Sequence, residues 1–106
     1  MVSRFEVYLV NLDREPSKDA KNTRPCVIIS PDELNRNVDT VLIAPIASTR
    51  AKYPTRIEFE FLNAERSVIL DQIRTVDNSR LVKKIGEVDP RVRQQILETL
   101  AELFAE

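Results

Sequence analysis

The sequence predicts an α+β domain, in which an antiparallel sheet curls into a small barrel and one helix packs on its side. Short apolar or alternating segments recur along most of the chain, which is typical of strands. The last part instead repeats apolar residues every three or four positions after an Asp-Pro pair, which is typical of a capped helix. The 106 residues show no repeat and no linker, so residues 1–106 are expected to form one domain.

Six segments have the composition of strands, and the polar and apolar residues from 71 to 76 alternate again. The strands are predicted at Val7–Val10, Pro25–Ser30, Thr40–Ile46, Thr55–Phe61, Ser67–Leu70 and Leu81–Ile85. The second is almost continuously apolar, which predicts burial on both faces, whereas the fourth alternates strictly and places Ile57, Phe59 and Phe61 on one face.

Two helical segments are expected. A short turn should run from Ser30 to Asn35, with Ser30 as its N-cap and Pro31 in its first position. The C-terminal helix should be capped by Asp89, with Pro90 at its first position. Its apolar face is predicted to comprise Val92, Ile96, Leu97, Leu100, Leu103 and Phe104.

The composition excludes several kinds of chemistry. The chain has no histidine, which rules out Ser–His and Cys–His nucleophile pairs and ribonucleases built on two imidazoles. The single glycine, Gly86, rules out a phosphate-binding loop and a dinucleotide fingerprint, so no cofactor is expected. No metal is expected either, because the chain has no histidine and one cysteine, and its acidic residues are mostly dispersed. The lone thiol, Cys26, lies in an apolar run and is expected to be a buried core residue rather than a nucleophile.

Charge and hydropathy indicate where such a chain works. Sixteen basic and seventeen acidic residues give a net charge of −1, so a nucleic-acid site would have to be a local cluster. One cysteine cannot form an intrachain disulfide, which fits a reducing cytoplasm. The first residues lack the apolar region of an export signal, and no apolar run reaches membrane length, so no membrane partner is expected.

Polar residues interrupt or end three of the apolar strands. The segments are Asn22-Thr23-Arg24, Ala47-Ser48-Thr49-Arg50 and Asp71-Gln72-Ile73-Arg74. In a curled sheet, such strand ends can converge at one rim, where they would offer guanidinium, hydroxyl, carboxylate and amide groups. The charged loop of residues 11–23 is a further candidate for function because long loops often carry it.

The same segments resemble the motifs of a known family. Thr23-Arg24-Pro25 followed by an apolar strand is similar to its Arg-Pro strand, and Ala44-Pro45-Ile46-Ala47-Ser48-Thr49 to its Pro-x-Thr-Ser/Thr segment. Asp71-Gln72-Ile73-Arg74 resembles its Asp-Gln-hydrophobic-Arg segment, and Ser79-Arg80-Leu81 follows as in many members. The order and spacing over residues 5–103 resemble the MazF/PemK family of toxin–antitoxin systems.

The resemblance implies a SH3-like, CcdB/PemK-like barrel that forms a homodimer with an RNA groove along the interface. It also implies a cognate antitoxin, an acidic extended polypeptide that fills the groove, with DNA contacted only indirectly through the antitoxin. The implied reaction is metal-independent cleavage of single-stranded mRNA at a short sequence. The substrate 2′-OH would attack phosphorus and leave 2′,3′-cyclic phosphate and 5′-OH ends.

The resemblance assigns catalysis to Arg24, Ser48 and Asp71. Arg24 would stabilise charge on the scissile phosphate through bidentate hydrogen bonds, or else only form a surface ion pair. Asp71 lies where the PemK branch has its general base, although it could instead cap a turn or pair with Arg74. That branch has an arginine proton donor two residues earlier, where this chain has Ile69.

Ala47 is the largest departure, because many MazF members carry a catalytic threonine at this position. Ser48 follows directly, but on an extended strand it would point to the opposite face unless a bulge or turn re-aims it. Either Ser48 takes over the role, or Arg24 and Asp71 suffice, or activity is reduced. Phe5-Glu6 also replaces a common Gly-Asp pair, which we interpret as a structural change.

RNA binding is assigned to polar residues around these motifs. They are Lys18, Asp19, Lys21, Thr49, Arg50, Gln72 and Arg74. The alternative for the basic residues is a scattered, solvated surface. Two other functions stay open: a non-catalytic protein on the same fold, like the related CcdB proteins that poison DNA gyrase, and an inactive regulator that only sequesters antitoxin.

Overall fold

The computed structural model describes residues 2–13, 23–48 and 55–105. In these ranges the chain forms seven strands, two helices and two 3-10 turns. The strands are β1 Glu6–Asn11, β2 Thr23–Ile28, β3 Thr40–Ala47, β4 Arg56–Phe61, β5 Ala64–Ile69, β6 Arg74–Asp77 and β7 Leu81–Glu87. The helices are α1 Asp32–Asn37 and α2 Pro90–Leu103, and the turns are Leu70–Gln72 and Asn78–Arg80. The predicted α+β fold, a curled antiparallel sheet with a C-terminal helix, is confirmed.

The strands of the described chain form one antiparallel sheet in the order β4-β5-β3-β2-β1-β7. β3 is the organising strand because it has neighbours along both edges. One edge pairs with β2, while the other pairs first with β6 at Thr40–Ile43 and then with β5 at Ile46 and Ala47. The 3-10 turn Leu70–Gln72 connects β5 to β6 and so lies beside the middle of β3.

Two apolar layers cover the two faces of the sheet. The main core lies between the sheet and α2, and its buried members are Val7, Val27, Ile29, Ala44, Ile46, Ile57, Phe59, Val68, Leu70, Val88, Val92 and Ile96. The second layer comprises Val10, Cys26, Ile28, Val41, Ile43 and Val76. Alternate residues of β2 enter different layers, which confirms that this strand is buried on both faces.

Helix α2 begins as predicted, since the Asp89 carboxylate accepts a hydrogen bond from the Val92 N–H at 3.0 Å and Pro90 follows the cap. The predicted apolar face is only partly correct. Val92 and Ile96 are buried and Leu100 packs against the core. These residues form a narrow stripe at four-residue spacing. The other three predicted members flank the stripe or follow the last helical residue, and they are exposed: Leu97, Leu103 and Phe104.

The predicted N-cap of the first helix is wrong. Pro31 occupies the cap position of α1, without a side-chain hydrogen bond, and the helix ends at Asn37. Ser30 is fully buried, where its hydroxyl donates to Asn35 Oδ1 at 2.5 Å and accepts from the Leu42 N–H at 3.1 Å. The buried Ser30 hydroxyl forms hydrogen bonds with Asn35 on α1 and with Leu42 on β3, rather than with the N-terminus of the helix. Ser30 therefore links α1 to the sheet.

Phe5 has an unusual backbone conformation, with φ at 72°. This left-handed region of backbone conformation is unfavourable in energy for every residue except glycine, and residues with large side chains rarely adopt it. The Phe5 ring packs against the main core, and the guanidinium carbons of Arg4 and Arg93 lie 5.3 and 5.6 Å from its centre. Glycine would suit this backbone, whereas phenylalanine supplies packing and two cation–π contacts.

Candidate active site

Arg24 and Ala47 lie at neighbouring strand ends. Cys26 pairs with Pro45 in the antiparallel β2–β3 ladder. Arg24 lies two residues before Cys26, and Ala47 lies two residues after Pro45, so the two are at the same end of the ladder. Both therefore share the face of the sheet that carries Cys26 and Ile43. Pro25 restrains the residue before it to extended backbone, which helps to hold Arg24 in the strand conformation. Ala47 in turn pairs with Ser67 on β5, which continues the row across three strands.

An open cavity of ≈ 330 Å³ lies at this end of the sheet. Its lining residues are Arg24, Pro25, Ile46, Ala47, Ser48 and Arg66. Arg24 and Ser48 are exposed, and Ala47 is half-buried. The structure thus brings two of the three predicted catalytic residues, Arg24 and Ser48, to one cavity. Ala47, which directly precedes Ser48, lines the same cavity with its methyl group. Ser48 follows the last residue of the strand, in a bend.

Asp71 lies elsewhere, in the 3-10 turn beside β3, and it is not among the residues that line this cavity. Its Oδ1 accepts hydrogen bonds from Thr55 Oγ1 at 3.1 Å and from Arg56 Nε at 3.4 Å. The Arg56 hydrogen bond is the main cause that lowers the pKa of the Asp71 carboxyl below its ordinary 3.8. The suggested pairing with Arg74 is replaced by this pairing with Arg56, and Asp71 is ionised at neutral pH.

Arg74 begins β6 opposite Ile43 and is exposed, and Gln72 is exposed at the end of the preceding turn. Arg74 acts electrostatically on the thiol of Cys26, on β2. Burial raises the pKa of Cys26 to about 12, and the positive charge of Arg74 opposes that rise only in part. Cys26 is fully buried and contacts the Arg24 carbonyl oxygen at 3.6 Å. The expected core thiol is confirmed, because Cys26 is fully buried within the second apolar layer.

The remaining predicted RNA-binding residues lie outside the described residues: Lys18, Asp19, Lys21, Thr49 and Arg50. Within residues 2–13, 23–48 and 55–105, no three Cys, Asp or Glu side chains are grouped so that they could hold a metal ion. Over the same ranges, no helix is long and apolar enough to cross a membrane.

Two arginines that the structure places at the candidate site residues were not identified from the sequence. Arg66 lines the Arg24 cavity, and Arg56 pairs with Asp71, yet neither belongs to the three polar segments that interrupt strands. For Arg66 a signal was present in the strand pattern. It precedes Val68 by two residues on β5 and pairs with Phe59, so it continues the core-facing side of the strand. A charged residue on that side marks the point where the core gives way to a polar cavity.

Comparisons with known proteins agree with this fold. Residues 3–104 match the family of PemK-like, MazF-like toxins of type II toxin–antitoxin systems. The endoribonuclease MazF of Staphylococcus saprophyticus is 32% identical over 102 residues, which covers 91% of this chain and 85% of the relative.

Solved structures show the same architecture. A mycobacterial endoribonuclease in complex with its cognate antitoxin superimposes with a TM-score of 0.81 at 26% identity, over 96% of this chain and 93% of that chain. MazF in a MazE–MazF complex from Deinococcus radiodurans gives a TM-score of 0.76 at 22% identity, over 97% and 93% of the two chains, and supports the fold alone. With the family pattern matched along nearly its whole length, this chain belongs to the PemK-like, MazF-like toxins of type II toxin–antitoxin systems.

Proposed function

We propose that this chain is a toxin endoribonuclease that cleaves single-stranded mRNA at a short sequence without a metal ion. The observation that carries the proposal is the cavity lined by both Arg24 and Ser48, in a chain of the MazF/PemK family. The substrate's 2′-oxygen forms a bond to phosphorus while the bond from phosphorus to the 5′-oxygen breaks. The products are a 2′,3′-cyclic phosphate and a 5′-OH end.

Arg24 stabilises the charge that accumulates on the phosphate oxygens during this step. A guanidinium is permanently charged and presents two parallel N–H groups, so it matches two phosphate oxygens at once. Its exposed position at the start of β2 leaves it accessible to an RNA strand. Because the nucleophile belongs to the substrate, no bound metal is needed to generate one, and Arg24 supplies the positive charge.

Two protons must move during the reaction, one from the 2′-OH and one to the 5′-oxygen. Ser48 is exposed and can pass a proton from solvent water to the leaving 5′-oxygen, because a hydroxyl donates its own proton and accepts another in its place. Asp71 is the candidate acceptor for the first, and this role requires the ribose to reach from the Arg24 cavity to the 3-10 turn that carries Asp71. Its lowered pKa keeps it ionised but makes it a weak base, so we assign it a smaller contribution than that of Arg24. Ile69, at the position of the PemK-branch proton donor, has no proton to give.

The proposed partners follow from the relatives. A structural neighbour is an endoribonuclease in complex with its cognate antitoxin, and we propose that an antitoxin neutralises this chain as well. We further propose a homodimer with the RNA groove along its interface, and indirect contact with DNA through the antitoxin.

The experiment is incubation of the purified protein with a long RNA in EDTA, followed by sequencing of the new 5′ ends. We expect cuts at one short sequence. The fragments should accept phosphate from polynucleotide kinase at their 5′ ends, because these carry hydroxyl groups, and their 3′ ends should resist ligation until the cyclic phosphate is removed. Intact RNA, or cleavage that needs a divalent ion, would contradict the proposal.

A second function is favoured by one observation, the methyl group of Ala47 beside Arg24 at the cavity. An inactive member would bind antitoxin, or poison DNA gyrase in the manner of CcdB, without cutting RNA. Intact RNA in the experiment above, together with tight antitoxin binding or inhibition of gyrase supercoiling, is the result that this alternative predicts.

A further inference from the structure

We propose that Arg66 is a positioning residue that holds an RNA phosphate next to the scissile one, an inference that rests on the proposed nuclease function. Arg66 shares the cavity with Arg24, although it comes from β5 rather than from a motif segment. The strands at this end of the sheet run β5-β3-β2, so the two arginines belong to strands separated by β3, and they reach the open cavity from opposite faces of the sheet end. With neighbouring strands about 4.8 Å apart, their backbones are roughly 10 Å apart.

The side chain of Arg66 is anchored on the far side from Arg24. Its Nε donates a hydrogen bond to the Phe61 carbonyl oxygen at 2.8 Å, across the β4–β5 turn. This bond draws the guanidinium toward β4 and away from β2, and it uses only one of five N–H groups. An anchored, half-buried guanidinium loses little rotational freedom when it binds an anion. Arg24 and Arg66 are therefore placed to hold two phosphates rather than to share one.

The charges around the cavity favour an anionic ligand on the Arg24 side of Arg66. Among the residues that the structure describes, the lining of the Arg24 cavity includes two arginines and no carboxylate. On its other side, Arg66 borders a cavity of ≈ 220 Å³ with the acidic residues Glu58, Glu60 and Glu65. These carboxylates repel a phosphodiester backbone, so the RNA strand is expected to pass from Arg24 to Arg66 without crossing β4.

The test is the salt dependence of RNA binding, measured by fluorescence anisotropy. The probe is a labelled random pool of 2′-O-methyl oligonucleotides, which bind but lack the nucleophile. Arg66→Gln is expected to weaken binding about tenfold through loss of a charge-assisted contact. The slope of log K against log salt should become shallower by about 0.7, the value for one phosphate contact on a single strand. In cleavage assays KM should rise and kcat should stay near the wild-type value.

Two further variants separate this role from a structural one. Arg66→Lys loses the Nε hydrogen bond but keeps the charge, so it should retain most of the salt slope whatever happens to its Tm. Arg91→Gln removes an exposed arginine from α2, outside the Arg24 cavity, and should leave the slope unchanged.

An unchanged slope in Arg66→Gln overturns the inference, even if its Tm falls, because that pattern means that Arg66 only fastens the hairpin. The outcome is distinct from failure of the nuclease proposal. Wild-type protein that leaves long RNA intact contradicts the proposed reaction, whereas the oligonucleotide binding assay still measures the contact made by Arg66.

Discussion

Arg56 donates a hydrogen bond from Nε to the carboxylate of Asp71 across 3.4 Å, and this contact lowers the pKa of Asp71. If Asp71 accepts the 2′-OH proton, activity requires its ionised form and is lost only as the pH falls through a pKa below 3.8. Cleavage should then be constant between about pH 7 and about pH 5. Asp71→Asn should reduce the rate by about 10², the lower end for a positioned base.

The matched variant is Arg56→Gln, which removes the main cause of the lowered pKa. It should shift the acid limb of the pH–rate profile toward higher pH. At neutral pH, it should reduce the cleavage rate less than Asp71→Asn does. Wild-type rates in a folded Asp71→Asn protein would exclude Asp71 from proton transfer.

Ala47→Thr should accelerate cleavage, because it restores a hydroxyl on the face that Ala47 shares with Arg24. The open cavity next to Ala47 gives room for the larger side chain. A gain of up to about 10² is expected if the hydroxyl acts in the transition state. The measurement is single-turnover cleavage with RNA affinity determined separately.

Ala47→Val is the control for this change, since valine has the shape of threonine without the hydroxyl. It should not raise the rate. If Ala47→Thr and Ala47→Val both slow cleavage, and Ser48→Ala abolishes it, the added volume strains the strand end and Ser48 already supplies the hydroxyl.

Phe5 should tolerate glycine better than alanine. Phe5→Ala loses the ring and keeps the cost of a left-handed backbone, whereas Phe5→Gly loses the ring but removes that cost. We expect the alanine variant to be less stable than the glycine variant by about 1 kcal/mol in the free energy of unfolding, measured with urea. Equal stability of the two variants would show that the φ of 72° carries no energetic penalty.

Gly86→Ala should destabilise the fold by about 1 kcal/mol, the low end for overpacking, because the atoms it would meet are the end of a half-buried side chain. A β-carbon on Gly86 would lie 2.9 Å from two ring carbons of Phe61, too close for either atom to stay in place. Unfolding in urea measures the loss. Combining Gly86→Ala with Phe61→Leu should recover part of it relative to the sum of the single changes, and strict additivity would contradict this contact.

Much of the fold was predictable because binary patterning reports which face of a strand or helix is buried. The alternation of Ile57 and Phe59, and the Asp89-Pro90 helix start, depend on local sequence and were predicted correctly. Exposure of Leu97 and Phe104 was missed because helical periodicity defines a face but not how much of that face the sheet covers. The cap predicted at Ser30 was wrong because the groups that its hydroxyl binds instead, on Asn35 and Leu42, are brought to it by tertiary packing.

The candidate site was predictable where motif residues end strands, and less so where distant segments meet. The register of β2 and β3 brings Arg24 and Ser48 to one cavity, as the convergence of strand ends predicts. The pairing of Asp71 with Arg56 depends on how β4 and the 3-10 turn meet, which no local pattern encodes. Arg66 enters the cavity through the same long-range arrangement.

The most direct test of the account is the single-turnover rate of RNA cleavage by Arg24→Ala in EDTA, compared with that of Arg91→Ala. Arg24 is a motif arginine that lines the cavity, and loss of a preorganised donor to developing charge typically reduces the rate by about 10²–10³. The account predicts a loss of this size in Arg24→Ala, with unchanged folding, and a wild-type rate in Arg91→Ala. More than half of the wild-type rate in folded Arg24→Ala would contradict it.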